Sequence, residues 1–288
     1  MDLEAATGAL RPSAETAREA WRALVEADRE QVERLSQRAL GGDYYGPMAS
    51  SFRPDHRPSL ELPVLESFAQ SDDAWRDIGA GGGRLAIGLA RVVHRVVAVE
   101  PSDSMRGALA AGIAEAGVSN IEVVSEHWPP GDLAATEVVD VSMAAHATYD
   151  IADIRAWVEA MEATSRRLCV FALGDRARGG YWTEVWQAAH GEPMAVLPGL
   201  REFVALLGAL DRAVEVRLVP AAQGGEPVTE EQAFATARRF CWLEPGTEAD
   251  ERMQAFMRER YAVGDGRLRP PPLRRHVGIV SWPPPTSI

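Results

Sequence analysis

The strongest chemical signal in the chain is the run Trp75-Arg76-Asp77-Ile78-Gly79-Ala80-Gly81-Gly82-Gly83-Arg84, a strand-like segment that ends in glycines and leads into a helix-like one. Glycines at 79, 81 and 83 allow backbone angles closed to other residues and remove the side chains that would keep a ligand off the main chain. Asp77, two residues before the first glycine, adds a carboxylate facing the ligand. Such a group is awkward beside a pyrophosphate and suitable beside an ammonium. A second acid, Glu100, ends the next strand-like run, Val96-Val97-Ala98-Val99. A carboxylate placed there accepts hydrogen bonds from two vicinal ribose hydroxyls, as the acid does in dinucleotide folds. The implied ligand has a ribose and a cationic tail. A dinucleotide turn, G-x-G-x-x-G, needs its third glycine at position 84, and that residue is Arg84.

The elements that must position these residues follow from periodicity. Strand patterns at 74–78, 95–99, 121–124, 138–143 and 168–173 alternate with helix patterns at 84–91, 104–116 and 151–166, the last carrying Ile154, Trp157, Val158 and Met161 on one face. That alternation predicts an α/β fold, a mostly parallel sheet covered by helices on both faces. Beyond residue 175 the rhythm loosens: helices are expected at 181–189, 200–210, 229–241 and 249–261, and strands at 214–219 and 277–282. Thr229 with Gln232 forms a capping-box pattern. Ahead of the core, 13–40 reads as one charged, alanine-rich helix stopped by Gly41 and Gly42, then a turn-rich segment with Tyr44 and Tyr45, then a short helix at 59–70. Residues 1–50 form an N-terminal helical arm and aromatic lid segment. Residues 51–288 form the ligand-binding domain, with helical insertions at about 176–213 and 221–275 on the substrate side.

Composition narrows the chemistry. The 288 residues are 46% hydrophobic and 25% charged, a soluble globular profile. No apolar stretch is long enough for a membrane helix, and the N-terminus lacks the pattern of a signal peptide, so a cytoplasmic protein is expected. All 30 basic residues are arginine, which rules out a pyridoxal Schiff base, a P-loop lysine and a kinase strand lysine. The net charge of −12 argues against a nucleic-acid partner, although Arg274 and Arg275 form a local basic patch. Cys169 and Cys241 have no CxxC partner, so a structural zinc site is not suggested. Trp182, Trp186 and Trp242 are either core or an aromatic pocket, and the helical spacing favours core.

These residues resemble the class I S-adenosylmethionine-dependent methyltransferases, in particular the small-molecule branch of type 11 and 25, with its D-x-G-x-G-x-G loop followed by V-x-A-V-E-P-S-x-x-M. Here the two motifs read Asp77-Ile78-Gly79-Ala80-Gly81-Gly82-Gly83 and Val97-Ala98-Val99-Glu100-Pro101-Ser102-Asp103-Ser104-Met105. The resemblance covers residues 44–175 well and the rest by topology only. It implies a Rossmann-like seven-stranded sheet with a helical insertion before the last strand, and S-adenosyl-L-methionine as cofactor. By that resemblance Asp77, Gly79, Ala80, Gly81 and Gly83 cradle the methionine portion. Glu100 grips the ribose, Pro101 and Met105 border the adenine, and Ala144 ends the fourth strand at the site. The adenine amino group falls to Ser125-Glu126-His127-Trp128, with Glu126 as its partner and Trp128 for stacking. His146 follows the fourth strand as either a general base or a loop-ordering residue, the latter being favoured. Tyr44, Tyr45 and Tyr149 are substrate or lid residues, Tyr44 and Tyr45 otherwise serving as anchors for the first helix.

The expected function is methyl transfer to a small-molecule acceptor whose identity and oligomeric context the sequence leaves open, with no metal demanded. The alternatives are a noncatalytic S-adenosylmethionine-binding or regulatory protein and a nicotinamide-dependent oxidoreductase.

Overall fold

The computed structural model describes residues 11–35, 59–177, 179–221, 226–272 and 275–285. The first helix, α1 (Ala14–Leu35), buries only the stripe Trp21 and Val25, and the Trp21 indole donates to the Ile151 carbonyl at 2.8 Å. Short helix α2 (Leu62–Glu66) is cut back from the expected 59–70 because Pro63 sits in its first turn and the chain turns out at Ser67. Then come β1 (Ala74–Ile78), α3 (Arg84–Leu89), β2 (Arg95–Val99), α4 (Asp103–Ala116), β3 (Ile121–Val124), β4 (Val139–Ala145), α5 (Ile154–Ala163) and β5 (Ser165–Gly174). The expected helix end at Arg166 belongs instead to β5, because α5 stops at Thr164, whose hydroxyl donates back to the Ala160 carbonyl. After α6 (Thr183–His190) and α7 (Leu200–Ala209) the chain enters β6 (Glu215–Pro220), β7 (Val228–Thr229), α8 (Glu230–Cys241), α9 (Glu248–Tyr261), β8 (Ala262–Gly264), β9 (Arg267–Leu268) and β10 (His276–Trp282).

Seven strands form one sheet in the order β3-β2-β1-β4-β5-β10-β6. The β1, β2, β3, β4 and β5 pairings are parallel, and β10 runs antiparallel between β5 and β6. Alternation along the strands sends two apolar sets to opposite faces. On one, Ile78, Phe171 and Trp282 pack with Trp21, Trp157, Phe203 and Leu207 from α1, α5 and α7. On the other, Trp75, Val96 and Met143 pack with Leu65, Ile87, Leu89 and Leu109 from α2, α3 and α4. The N-terminal helix is therefore part of the core.

The insertion between β6 and β10 contains a three-stranded sheet, β7-β9-β8, that periodicity did not reveal, since its strands are only two or three residues long. With α6 it encloses a separate apolar core of Trp182, Trp186, Phe234, Phe240, Met253 and Met257. Trp182 and Trp186 are core residues, as their spacing favours.

Asp250, fully buried in that small core, accepts both Nε and Nη2 of Arg238, at 2.8 and 2.9 Å, and the amide of Gly246 at 3.0 Å. Removing one member of such a pair is costly, and Arg238 keeps partial access to water. Asp250→Ala is expected to lower stability by about 2 to 3 kcal/mol in urea unfolding followed by tryptophan fluorescence. A loss below about 1 kcal/mol would mean that the pair does not hold the insertion together.

Candidate functional site

The β1–α3 turn is built on three positive backbone angles, φ +74° at Gly79, +55° at Gly81 and +85° at Gly83. Two of these glycines are also sterically required. A Cβ on Gly79 would lie 2.5 Å from the Ala147 Cβ, and one on Gly83 would lie 2.3 Å from Leu109 Cδ1. A Cβ on Gly81 would meet nothing within 4 Å. The turn is thus wedged at both ends and open in the middle, which leaves main chain accessible at Gly81. Ala80 is half-buried beside it.

Glu100 stands over that opening. One carboxylate oxygen accepts the Gly81 amide at 2.8 Å and the other accepts the Ser102 amide at 2.9 Å. A carboxylate offers about four acceptor positions, so each oxygen keeps capacity for a ligand hydroxyl. Ser102 in turn caps α4 by accepting the Met105 amide at 3.2 Å, which sets the buried Met105 at the start of the helix beside exposed Pro101. Asp77 lies under the turn, 2% exposed, and accepts a hydrogen bond from the Ala86 amide. Burial, with the charge of Glu100 as a second cause, pushes its carboxyl up to about 7.

On the other side of the cradle β4 ends at Ala144 and Ala145, and the following residues turn sharply through His146, φ +57°. Its amide donates to the Ala172 carbonyl at 2.9 Å, and Ala147 is the residue wedged against Gly79. Ala144 itself is buried in register with Ile78. The His146 ring is held at both nitrogens, Nδ1 at 2.9 Å from the Tyr149 hydroxyl and Nε2 at 3.1 Å from Glu61 Oε1. The Tyr149 oxygen also accepts the Gly174 amide at 2.8 Å, and beside the Glu61 carboxylate, which only accepts, the His146 Nε2–H is the donor. Burial would push the Glu61 carboxyl up, but the hydrogen bond and charge of His146, with the Ser59 hydroxyl, hold it well below the usual carboxylate range.

The structure brings Asp77, the three glycines, Glu100, Met105, Ala144, His146 and Tyr149 to the carboxyl ends of β1, β2, β4 and β5. Glu126 and His127 are exposed in the segment after β3. Trp128 is bound into the scaffold: its indole donates to the Trp157 carbonyl at 3.3 Å, the Trp157 indole returns a bond at 2.6 Å, and the Arg76 guanidinium lies 5.3 Å from its ring. Tyr44 and Tyr45 lie outside the described residues. Glu61 had no signal in the sequence, since its partner is 85 residues away. Among the described residues no cluster of His, Cys, Asp or Glu is arranged to hold a metal.

No family model and no curated protein matches the chain. Solved structures do. YcgJ from Bacillus subtilis is 14% identical with a TM-score of 0.52, covering 78% of this chain and 99% of its own. A candidate methyltransferase, BH2331 from Bacillus halodurans C-125, is 15% identical with a TM-score of 0.54, covering 79% and 100%. A SAM-dependent methyltransferase from Thiobacillus denitrificans, in complex with S-adenosyl-L-homocysteine, gives 17% and 0.49, covering 84% and 98%. The fold is that of the class I methyltransferases. At these identities the likeness is one of architecture, and in the methyltransferase fold of this chain the antiparallel β10 occupies the next-to-edge place in the sheet.

Two glycine substitutions separate the roles within the turn. Gly83→Ala is expected to lose roughly 2 to 4 kcal/mol of stability, from overpacking against Leu109 and from the left-handed angle together. Gly81→Ala should lose only about 1 kcal/mol, from the angle alone. Equal losses in thermal unfolding would contradict the wedge. His146→Ala leaves Glu61 buried without its imidazole and is expected to cost roughly 1 to 3 kcal/mol at neutral pH. Glu61 is depressed in the folded state, so its contribution is present above the ordinary carboxylate range and is lost on acidification. The variant should therefore resemble the parent at the acid end and differ from it near pH 7, as followed by melting temperature across pH.

Proposed function

We propose that the chain is an S-adenosylmethionine-dependent methyltransferase acting on a small molecule. The observation that carries this reading is the cradle at Gly81, open where the turn is otherwise wedged shut and overlooked by the fixed carboxylate of Glu100. Gly83, closed against Leu109 and Ile87, takes the helix-packing role that position 84 has in a dinucleotide fold, where this chain has Arg84 at the start of α3. That favours a nucleoside with a cationic tail over a dinucleotide.

In this reading the cofactor supplies a methyl group on a sulfonium. Glu100 accepts from the ribose hydroxyls with the acceptor capacity it retains, and Met105 and Pro101 border the adenine, with Glu126, His127 and Trp128 along its far edge. Asp77 supplies negative potential from beneath the turn. Ala144, His146 and Tyr149 shape the acceptor side, where approach and alignment provide most of the acceleration. With both ring nitrogens engaged, His146 acts by holding the loop and the Tyr149 hydroxyl in place. Two free buried thiols, Cys169 and Cys241, support a reducing compartment and hence the cytoplasm. Among the described residues no helix is long and apolar enough to cross a membrane.

Calorimetry tests the assignment. S-adenosylhomocysteine should bind and NAD should not; NAD binding without S-adenosylhomocysteine binding would overturn it. Glu100→Ala should weaken the binding at least tenfold, since each charge-assisted contact contributes roughly 1.5 to 3 kcal/mol. Asp77 adds a proton linkage. Its carboxyl is raised to about 7, and a nearby ammonium favours the ionised form. Binding at about pH 6 should therefore release protons, and affinity should rise with pH up to about 7 and level off above it. Buffers of different ionisation enthalpy measure this directly, and binding with no proton exchange would remove Asp77 from the site's electrostatics.

A further inference from the structure

Every positive charge on this chain is an arginine, and the chain carries 42 acidic residues with which they can pair. Arg176 and Arg275 are among the described arginines that do not, and they are the two that lie against one tyrosine ring. Among the described residues neither guanidinium has an ion-pair partner, although both sit beside an acid, Asp175. The Asp175 carboxylate is turned elsewhere: one oxygen accepts the amides of Arg275 at 3.2 Å and His276 at 3.4 Å, and the other accepts the Tyr181 hydroxyl. These bonds hold the Tyr181 ring, and the two guanidiniums lie against it, 4.9 Å from its centre for Arg176 and 5.1 Å for Arg275. Arg176 spends one donor on the Gly180 carbonyl at 3.0 Å.

A guanidinium held against a ring keeps for a ligand those donors that the protein does not use. A planar fork so presented matches the oxygens of a carboxylate or a phosphate. The position also fits. Asp175 follows the last residue of β5, Arg275 precedes β10, and Gly174, the residue before Asp175, donates to the Tyr149 hydroxyl on the acceptor side of the cradle. An anion approaching a chain of net charge −12 needs such a local reversal of sign.

We infer that the methyl acceptor is a small anion, carrying a carboxylate or a phosphate group that Arg176 and Arg275 hold beside Tyr181. The inference rests on the methyltransferase reading and deepens it. Two guanidiniums are too few for a nucleic-acid backbone, whose binding draws on many phosphate contacts.

The test uses the full chain saturated with S-adenosylhomocysteine and follows the arginine side-chain Nε–H signals by nuclear magnetic resonance at constant ionic strength. One arm adds inorganic phosphate and the other acetate. The two signals that disappear in Arg176→Gln and Arg275→Gln should shift saturably in at least one arm, which also says which anion the site prefers. Each single variant should weaken the effect at least fivefold on the remaining signal, and the double variant should show no saturable response. Linear, unsaturated shifts in both arms would overturn the inference. So would saturation that persists in the double variant. The same titration runs without S-adenosylhomocysteine, so a failure of cofactor binding is seen separately from a failure of the arginine pair.

Discussion

Two steric contacts fix the turn on which the rest of the site depends, Gly79 against Ala147 and Gly83 against Leu109. The first ties β1 to the loop leaving β4, and the second ties α3 to α4. Neither partner can withdraw, because Leu109 is fully buried and the loop at 146 is itself anchored to β5 through the Ala172 carbonyl. A turn left to its own backbone entropy would sample many shapes, since glycine is the most permissive residue. Here the permissive residues are trapped, and the freedom that remains at Gly81 is freedom of access.

The same turn concentrates negative charge. Burial raises the cost of ionising Asp77 beneath it, and the charge of Glu100 above it adds to that cost. Such an arrangement opposes folding at neutral pH and favours any cation that enters, which is the usual exchange of stability for preorganisation at a binding site. On the far wall the balance is reversed. Glu61 is equally buried, yet it has an imidazole partner and is held ionised. One carboxylate has a cationic partner within the protein, and the other has a second carboxylate for a neighbour.

The legible part of the sequence was the part governed by local rules. Strands β1, β2 and β3 fall where alternation and apolar runs put them, and the acid, glycines and second acid come together because parallel pairing brings Ile78 beside Val99. What stayed hidden depends on contacts distant in sequence or on elements too short to show a period. The Glu61–His146 bond spans 85 residues. The β7-β9-β8 sheet is made of runs of two and three residues, below the length at which alternation can be recognised. Trp128 looked available because a tryptophan after a strand is a natural stacking surface. Its reciprocal bonds with Trp157 can be seen only once α5 is packed beneath it.

The two insertions stand in different relations to the sheet. Helix α6 after β5 and the segment after β6 share a core of their own, built on Trp182, Trp186, Phe234 and Met257, while α7 packs on the main sheet. They meet the sheet at the ends of β5 and β10, where Asp175 bonds to the amides of Arg275 and His276 and fixes Tyr181. That junction is rigid by hydrogen bonding on the inside and charged on the outside. Changes in α6, α8 and α9 fall within that separate core, apart from the turn, Glu100 and the buried Asp77. The turn and these inserted elements are thereby packed as separate parts of the chain.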